Sequence, residues 1–255
     1  MVNVKTSSTA MDIRPLDRQK IEVFVVSDSA LFFNSMNAKA KRDLLMPPPK
    51  KTSAEKARNL KHDPRAEFRN SIYSLRDGSE TLLGFPAAGF KAAMAAAALV
   101  TEGVKKSDVQ KLLYVEGELI PVYGNPYLRC DVVRSADINR TPDVRTRAFV
   151  PEWATKLTIS YTAPALTQTG VINLLANAGA VCGIGDFRQE KGRGNFGRFR
   201  IVNADDADWA RIVQASNYAQ QEAAMSKAEP WDSDTAELLG YFDAQVSDRE
   251  LRVAA

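Results

Sequence analysis

The residues of this chain best suited to ligand chemistry lie at positions 183–200, which read Gly-Ile-Gly-Asp-Phe-Arg-Gln-Glu-Lys-Gly-Arg-Gly-Asn-Phe-Gly-Arg-Phe-Arg. These eighteen positions hold five glycines, five cationic residues and three phenylalanines. Glycine lets the backbone adopt positive φ angles and approach another backbone closely. Cationic side chains attract phosphates, and aromatic rings among them offer faces on which unpaired bases stack. This composition favours a long single-stranded polyanion over a small metabolite as the ligand.

The candidate contacts in this glycine-rich segment (residues 183–200) are its cations and two of its aromatic side chains. They are Arg188, Lys191, Arg193, Arg198, Arg200, Phe187 and Phe196. The third aromatic residue, Phe199, lies on a predicted strand and is expected in the core. For the cations the alternative is a solvated hairpin, and for Phe187 and Phe196 it is packing inside the protein.

A second basic stretch covers residues 134–151. Its arginines alternate with hydroxyl and amide side chains, which suits phosphate binding because a guanidinium presents a fork of hydrogen-bond donors. The candidate contacts in this stretch are Arg134, Arg140, Arg145 and Arg147. The alternative is that nearby carboxylates neutralise the arginines locally. Those carboxylates belong to Asp131, Asp137 and Asp143.

A third basic stretch, residues 36–66, is rich in lysine and is broken by the run Pro47-Pro48-Pro49. Prolines in series oppose regular structure, so this stretch is predicted to be a basic arm. Lys50 and Lys51 are its candidate contacts, and a solvated loop without a ligand is the alternative. Lys91, near the start of a predicted helix, completes the set of candidate contacts.

The charge of the chain is unevenly distributed. It carries 34 basic and 31 acidic residues, a net charge of +3. Residues 204–255 hold four basic and eleven acidic residues, a net charge of −7, which leaves +10 on residues 1–203. A basic body predicts polyanion binding, and the acidic segment is predicted to mask it or to recruit a protein partner. The alternative is a solvated acidic helix pair.

Several classes of site are not expected. No apolar run reaches the roughly 20 residues of a membrane helix, and the N-terminus lacks a signal-peptide core. Cys130 and Cys182 lack zinc spacing and are expected to be buried thiols in a reducing cytoplasm. The sequence has no P-loop or Rossmann fingerprint, and the carboxylates of the basic body lack metal-ligand spacing. We therefore expect no membrane partner, no metal and no cofactor.

The elements that must position the candidate residues follow one pattern twice. In the second half, a predicted strand over residues 155–162 precedes a helix capped by Thr167 or Thr169. The glycine-rich segment comes next, and Phe199 begins the final strand. A strand, a helix and a second strand thus follow one another, with the glycine-rich segment between the helix and the last strand.

The first half has the same rhythm. A predicted strand over residues 21–26 precedes a helix over 87–100 and a strand over 112–115. Residues 119–122 are predicted to form a hairpin with 112–115. Two β-α-β units in one antiparallel sheet predict an α+β fold with a ferredoxin-like (RRM-like) core.

The predicted organisation has two parts. Residues 1–203 are predicted to form a nucleic-acid-binding domain from which two insertions, at 30–80 and 123–154 and including the basic stretch 134–151, leave the core as long loops. Residues 204–255 form an acidic helical extension. Within it, one helix is predicted over 204–227, with acidic residues at its start, where the helix dipole favours anions. Asp234 is predicted to cap a second helix.

This pattern resembles the RAMP superfamily, the RNA-binding proteins of CRISPR systems, and within it the backbone subunits that polymerise along guide RNA. The resemblance rests on Gly183-Ile-Gly185-Asp-Phe-Arg, continuing through Gly192, Gly194 and Gly197 to Phe199. A second similar motif is Phe85-Pro-Ala-Ala-Gly-Phe-Lys91. As architecture the resemblance covers residues 20–203. The chain is also similar to uncharacterised bacteriophage proteins, whose place would be the host cytoplasm.

Residues and resemblance together predict a non-enzymatic protein that binds single-stranded RNA or DNA through a basic, glycine-rich face. Binding is expected to be cooperative, with the protein acting as a homo-oligomer or array on long strands. Two alternatives stay open. One is a metal-independent endoribonuclease, for which the single histidine, His62, would be the candidate acid or base. The other is a protein-interaction module that imitates or inhibits a CRISPR complex subunit.

Overall fold

A computed structural model describes residues 15–36, 41, 45–46, 62–134, 141–191 and 194–254. Within these ranges the chain has an α+β fold, with seven α-helices and ten strands in three sheets. All strand pairs inside the sheets are antiparallel. The predicted α+β class is therefore confirmed.

The largest sheet has four strands in the order β10-β1-β9-β5. They are β1 (Asp17–Ser27), β5 (Leu113–Val115), β9 (Ala154–Ala163) and β10 (Phe199–Val202). Ile21, Val23 and Val25 alternate with more exposed residues along β1 and are buried, as a strand with one face on the core requires. Strands lie at all four positions where the sequence predicted strands of one sheet.

Three helices connect these strands: α2 (Ala87–Ala97), α3 (Lys106–Leu112) and α4 (Gln168–Val181). Helices α2 and α4 pack against each other, and each contacts the four-stranded sheet. Thr167 caps α4 by accepting a hydrogen bond from the N–H of Gly170. Gly179 lets α4 approach β10, because a Cβ there would lie 2.1 Å from the carbonyl oxygen of Phe199. Phe199 is buried, as predicted.

Both predicted insertions contain regular structure. One three-stranded sheet has the order β2-β8-β7, with β2 (Leu31–Phe32), β7 (Tyr127–Arg134) and β8 (Pro142–Val150). Helix α1 (Pro64–Asn70) packs on β8. The prediction that residues 134–151 form a loop is wrong, because residues 146–150 are all buried and pair with β2 and β7.

The predicted hairpin between residues 112–115 and 119–122 does not form. Strand β5 pairs with β9, whereas β6 (Leu119–Pro121) pairs with β4 (Leu83–Pro86) in a third sheet completed by β3 (Tyr73–Ser74). The N–H of Glu116 continues the first pairing by donating to Thr158, 2.9 Å away. Gly117, at φ 90°, then turns the chain towards the other sheet.

The C-terminal segment folds into three helices, α5 (Ala207–Gln214), α6 (Tyr218–Lys227) and α7 (Ser233–Ala254). The single helix predicted over 204–227 is broken because Asn217 starts a new helix through a capping box with Gln220. The cap predicted at Asp234 is formed by Asp232, whose carboxylate accepts a hydrogen bond from Thr235 N–H at 2.8 Å. Among the described helices, none combines the length and apolar character needed to cross a membrane.

All three C-terminal helices pack on the rest of the protein. On α5, Trp209 meets Phe24 of β1 edge-to-face at 4.9 Å. On α6, the buried amide of Gln221 donates to the carbonyl oxygens of Val122 and Gly124. On α7, Leu239 is buried in the main core, and this helix lies against β7. The acidic segment is thus a packed layer in its described part.

Candidate nucleic-acid interface

The glycine-rich segment folds against itself and against β2. Ile184 N–H donates to the carbonyl oxygen of Gly197 at 2.9 Å, which closes the segment into a loop. Gly197 N–H donates to Ala30 at 2.8 Å, and Asp186 N–H donates to Phe32 at 3.1 Å. The loop is therefore attached to the body by backbone hydrogen bonds at both of its ends.

Two glycines of this segment, Gly194 and Gly197, are needed for close contacts within it. Gly197 has φ 73°, and a Cβ there would lie 1.8 Å from the carbonyl oxygen of Ile184. At Gly194 a Cβ would lie 1.4 Å from the carbonyl oxygen of Phe187. Close approach of one backbone to another within the loop is thus sufficient reason for glycine at both positions.

Phe187 and Phe196 are half-buried against a third ring, Phe32. Their ring centroids lie 5.6 Å and 4.9 Å from that of Phe32, both edge-to-face. Phe32 itself is fully buried. Because both rings are used in this cluster, only their exposed parts remain available to a base.

Arg147 is buried below the same cluster, with 2% of its side chain exposed. Its guanidinium pairs with Asp186 at 2.6 Å and with Asp131 at 3.1 Å. It also lies over the rings of Phe187, 4.4 Å from the centroid, and Phe32, 4.9 Å from the centroid. We therefore remove Arg147 from the predicted interface, because a nucleic acid cannot reach it in this conformation.

Arg129 takes part in the same cluster and was not among the predicted site residues. Its guanidinium lies over the ring of Phe149 at 4.9 Å and pairs with Asp131 at 3.2 Å. A sequence signal was present: residues 128–133 are also a strand candidate in the sequence, and Arg129 and Asp131, two positions apart in it, would share one face. The arginine–phenylalanine cluster comprises Phe32, Arg129, Asp131, Arg147, Phe149, Asp186, Phe187 and Phe196.

Two other predicted contacts are held by neighbouring carboxylates. Arg188 donates to Glu190 at 2.7 Å and to the carbonyl oxygen of Gly185 at 2.9 Å. Arg200 donates to Asp206 at 3.3 Å and to Asp208 at 2.6 Å, both at the start of α5. A hydrogen bond from the N–H of Trp209, reinforced by Arg200, lowers the pKa of Asp206. The acidic segment thus neutralises Arg200.

Five predicted contacts remain without a partner. The side chains of Lys91, Arg134, Arg145, Lys191 and Arg198 form no hydrogen bond or ion pair with any residue that the structure describes. Arg134, Arg145, Lys191 and Arg198 are exposed, and Lys91 is half-exposed. Two of the five lie on the β7–β8 hairpin, two in the glycine-rich segment and one on α2. Arg140, Arg193, Lys50 and Lys51 lie outside the described residues.

His62 sits between two carboxylates instead of on an open surface. Its Nδ1 lies 2.7 Å from Glu67 and its Nε2 lies 2.9 Å from Asp143. Both ring nitrogens are therefore within hydrogen-bond distance of a carboxylate. A cavity of about 460 Å³ borders this trio. Among the described residues, no group of histidine, cysteine and carboxylate side chains is arranged to hold a metal ion.

Two comparisons of this chain with known proteins gave no match. No protein-family model matches it, and no curated protein matches it. Its function is therefore inferred from the residues and their geometry.

Proposed function

We propose that this protein binds single-stranded nucleic acid, RNA or DNA, without cleaving it. The proposed interface comprises Arg134 and Arg145 on the β7–β8 hairpin and Lys191 and Arg198 in the glycine-rich segment. The observation that carries the proposal is that these four cations are exposed and have no acidic partner among the described residues, on a body of net charge +10. Unpaired exposed cations are the groups that exchange counterions for phosphates.

We also infer that the four-stranded sheet is a ferredoxin-like core. Its order β10-β1-β9-β5, with α2 between β1 and β5 and α4 between β9 and β10, supports this assignment. The same arrangement supports the resemblance to RAMP proteins, in which the glycine-rich segment follows the second helix. Side-by-side binding along a strand remains part of the proposal.

The endoribonuclease alternative has less support. The candidate acid or base, His62, has each ring nitrogen within hydrogen-bond distance of a carboxylate. A protein-interaction role is the second candidate function. It is favoured by exposed apolar side chains on β7 and α7, where Val132 is 74% and Tyr241 67% exposed.

The test measures binding of a labelled single strand by fluorescence anisotropy over a range of salt concentrations. We expect the quadruple variant Arg134→Ala, Arg145→Ala, Lys191→Ala and Arg198→Ala to bind more weakly. For each phosphate that the variant no longer binds, the slope of log affinity against log salt should fall by about 0.7. Parallel titrations with RNA and DNA strands identify the preferred polymer.

A matched control removes four exposed cations outside the two segments: Arg18, Arg76, Lys105 and Lys111. It changes the net charge by the same amount, so a general charge effect would appear in both variants. We expect the control to keep the wild-type slope. An unchanged slope in the folded quadruple variant, or an equal loss in the control, would refute the proposed interface.

A further inference from the structure

A cavity of about 290 Å³ lies between the N-terminal half of α2 and the glycine-rich segment. Gly89 and Ala92 line it on the helix side, and Gly185 and Arg188 line it on the other side. Ala92 is exposed, so the cavity is reached from solvent along this helix. Its volume is at the lower limit of ordinary ligand pockets, about 300 Å³, and suits a single planar ring system.

The wall of this cavity includes an aromatic ring at the edge of the main core. Phe85 is enclosed by Phe33 at 6.1 Å and Phe90 at 5.7 Å. Tyr73 is half-buried, and within the described structure its ring meets only that of Phe85, edge-to-face at 6.4 Å. The Tyr73 hydroxyl forms no hydrogen bond with a described residue, and burial raises its pKa. Tyr73 thus brings to the lining of the cavity an aromatic ring whose hydroxyl has no partner among the described residues.

The rim of the cavity has hydrogen-bonding groups to spare. Asn34 lines it and uses its amide nitrogen on Asp186 at 3.0 Å, which leaves its side-chain oxygen as an acceptor. Arg188 uses Nε and Nη1, which leaves Nη2 as a donor. An acceptor and a donor at one rim match the edges of nucleobases, which carry both kinds of group.

The charges around the cavity favour a neutral group over a phosphate. Arg188 is paired with Glu190, and Asp186 is paired with Arg147. The rim thus has no excess of positive charge. The unpaired cations of the proposed interface do not line the cavity, so phosphate contacts and base contacts would be made by different residues.

We propose that this cavity binds one unstacked nucleobase, stacked on Tyr73 with its polar edge towards Asn34 and Arg188. The inference rests on the proposed single-strand binding and adds to it a base-contacting pocket beside the phosphate contacts. A base held in this way contributes affinity that a bare sugar-phosphate chain does not have.

The test fills the cavity and compares strands with and without bases. Ala92→Phe places a ring in the cavity from an exposed helix position. Ala88→Phe is the matched control, because Ala88 is exposed on the same helix one turn earlier and does not line the cavity. For a base-containing strand we expect Ala92→Phe to weaken binding about tenfold, the scale of one base–aromatic stacking interaction. For an abasic strand of equal length we expect no change, and Ala88→Phe should match wild type on both.

The proposed base pocket would be wrong if Ala92→Phe weakened binding of the base-containing and abasic strands equally, or if Ala88→Phe caused the same loss of affinity. Neither result would contradict single-strand binding itself. Circular dichroism establishes that each variant is folded. If the wild-type protein binds neither strand, the proposed function fails, and titration with adenosine and uridine followed by NMR decides the pocket separately. Saturable binding that Ala92→Phe abolishes and Ala88→Phe keeps would support it. No saturable binding of either nucleoside would overturn it.

Discussion

The β7–β8 hairpin uses the same residue type in opposite ways in its two halves. In the inner half, Arg129 and Arg147 lie under aromatic rings and are paired with carboxylates. In the outer half, Arg134 and Arg145 are exposed and have no partner among the described residues. The inner arginines pack inside the fold, and the outer ones belong to the proposed interface.

The contacts of Asp131 explain why the inner arginines of the hairpin are paired and Arg145 is not. It lies directly across from Arg145 in the strand register. Its carboxylate nevertheless binds Arg129 at 3.2 Å and Arg147 at 3.1 Å. The aromatic cluster holds those two guanidinium groups in place, and the carboxylate turns towards them. The arginines that pair with Asp131 are those that the glycine-rich segment covers. Proximity to Asp131 in the strand register is not sufficient.

The largest expected effect is a difference in stability between a variant of the inner half and a variant of the outer half. We predict that Arg147→Ala lowers the free energy of unfolding by about 3 kcal/mol, because it removes a buried cation that donates to both Asp131 and Asp186 and packs on Phe187. Arg145→Ala should change it by less than about 0.5 kcal/mol, as is usual for exposed side chains. Urea unfolding followed by tryptophan fluorescence measures both. Similar losses in the two variants would mean that the inner arginine is not structurally distinct.

The next effect tests whether backbone contacts within the glycine-rich segment keep this segment over the inner arginines. Gly197→Ala would place a methyl group against the carbonyl oxygen of Ile184, whereas Gly78, at φ 84°, has open space around its Cβ position. Gly78→Ala should cost about 1 kcal/mol from backbone strain alone. Gly197→Ala adds a backbone clash, and we expect about 2–3 kcal/mol in the same urea experiment. If the two variants lost equal stability, the glycine-rich segment would be able to relax around the new methyl group. Its position over the inner arginines would then not depend on the contact between Gly197 and Ile184.

The elements with strong periodicity were predictable from sequence. The alternation of Leu157, Ile159 and Tyr161 predicts β9. Capping chemistry limits the start of α4 to Thr167 or Thr169, and the structure selects Thr167. Strand β8 was missed because its outer half carries Asp143 and Arg145 in place of apolar residues. The pairing of β5 and β6 was missed because adjacent short strands form a hairpin by default, and only the tertiary fold supplies other partners.

The candidate site was predictable only as a list of residue types. Arg147 and Arg145 are two positions apart, and nothing in their immediate neighbourhood separates a buried arginine from a free one. The difference is made by Asp186 and Phe187, which are distant in sequence and reach Arg147 through the fold. The break between α5 and α6 was visible in principle, since Asn217 and Gln220 have capping-box spacing.

The smallest expected effect is a loss of stability at acid pH. It distinguishes the two halves, because stability should depend on carboxylates near the inner half, whereas strand binding by the outer half should depend on salt. Hydrogen bonds from Thr235, reinforced by Arg129, lower the pKa of Asp232 beside the inner half. Arg65 lowers the pKa of Asp243 on the same helix. A carboxylate with a lowered folded-state pKa stabilises the fold above its unfolded value of about 3.9, and that contribution is lost as pH falls through the folded pKa.

We therefore predict that stability falls between about pH 5 and pH 2, and that Asp232→Asn with Asp243→Asn reduces this fall. The side chains are 37% and 52% exposed, so each contribution should stay below about 1 kcal/mol. Asp205→Asn is the control, because Asp205 is exposed in the same acidic segment and forms no bond with a described residue. Urea midpoints at neutral and acid pH measure the effect. Between about pH 5 and pH 8, histidine is the only side chain whose unperturbed pKa makes it change charge, so strand binding by the arginines of the outer half should respond to salt and not to pH in that interval. A pH-dependent affinity at constant stability would instead place a titrating group in the interface and break the division between the two halves.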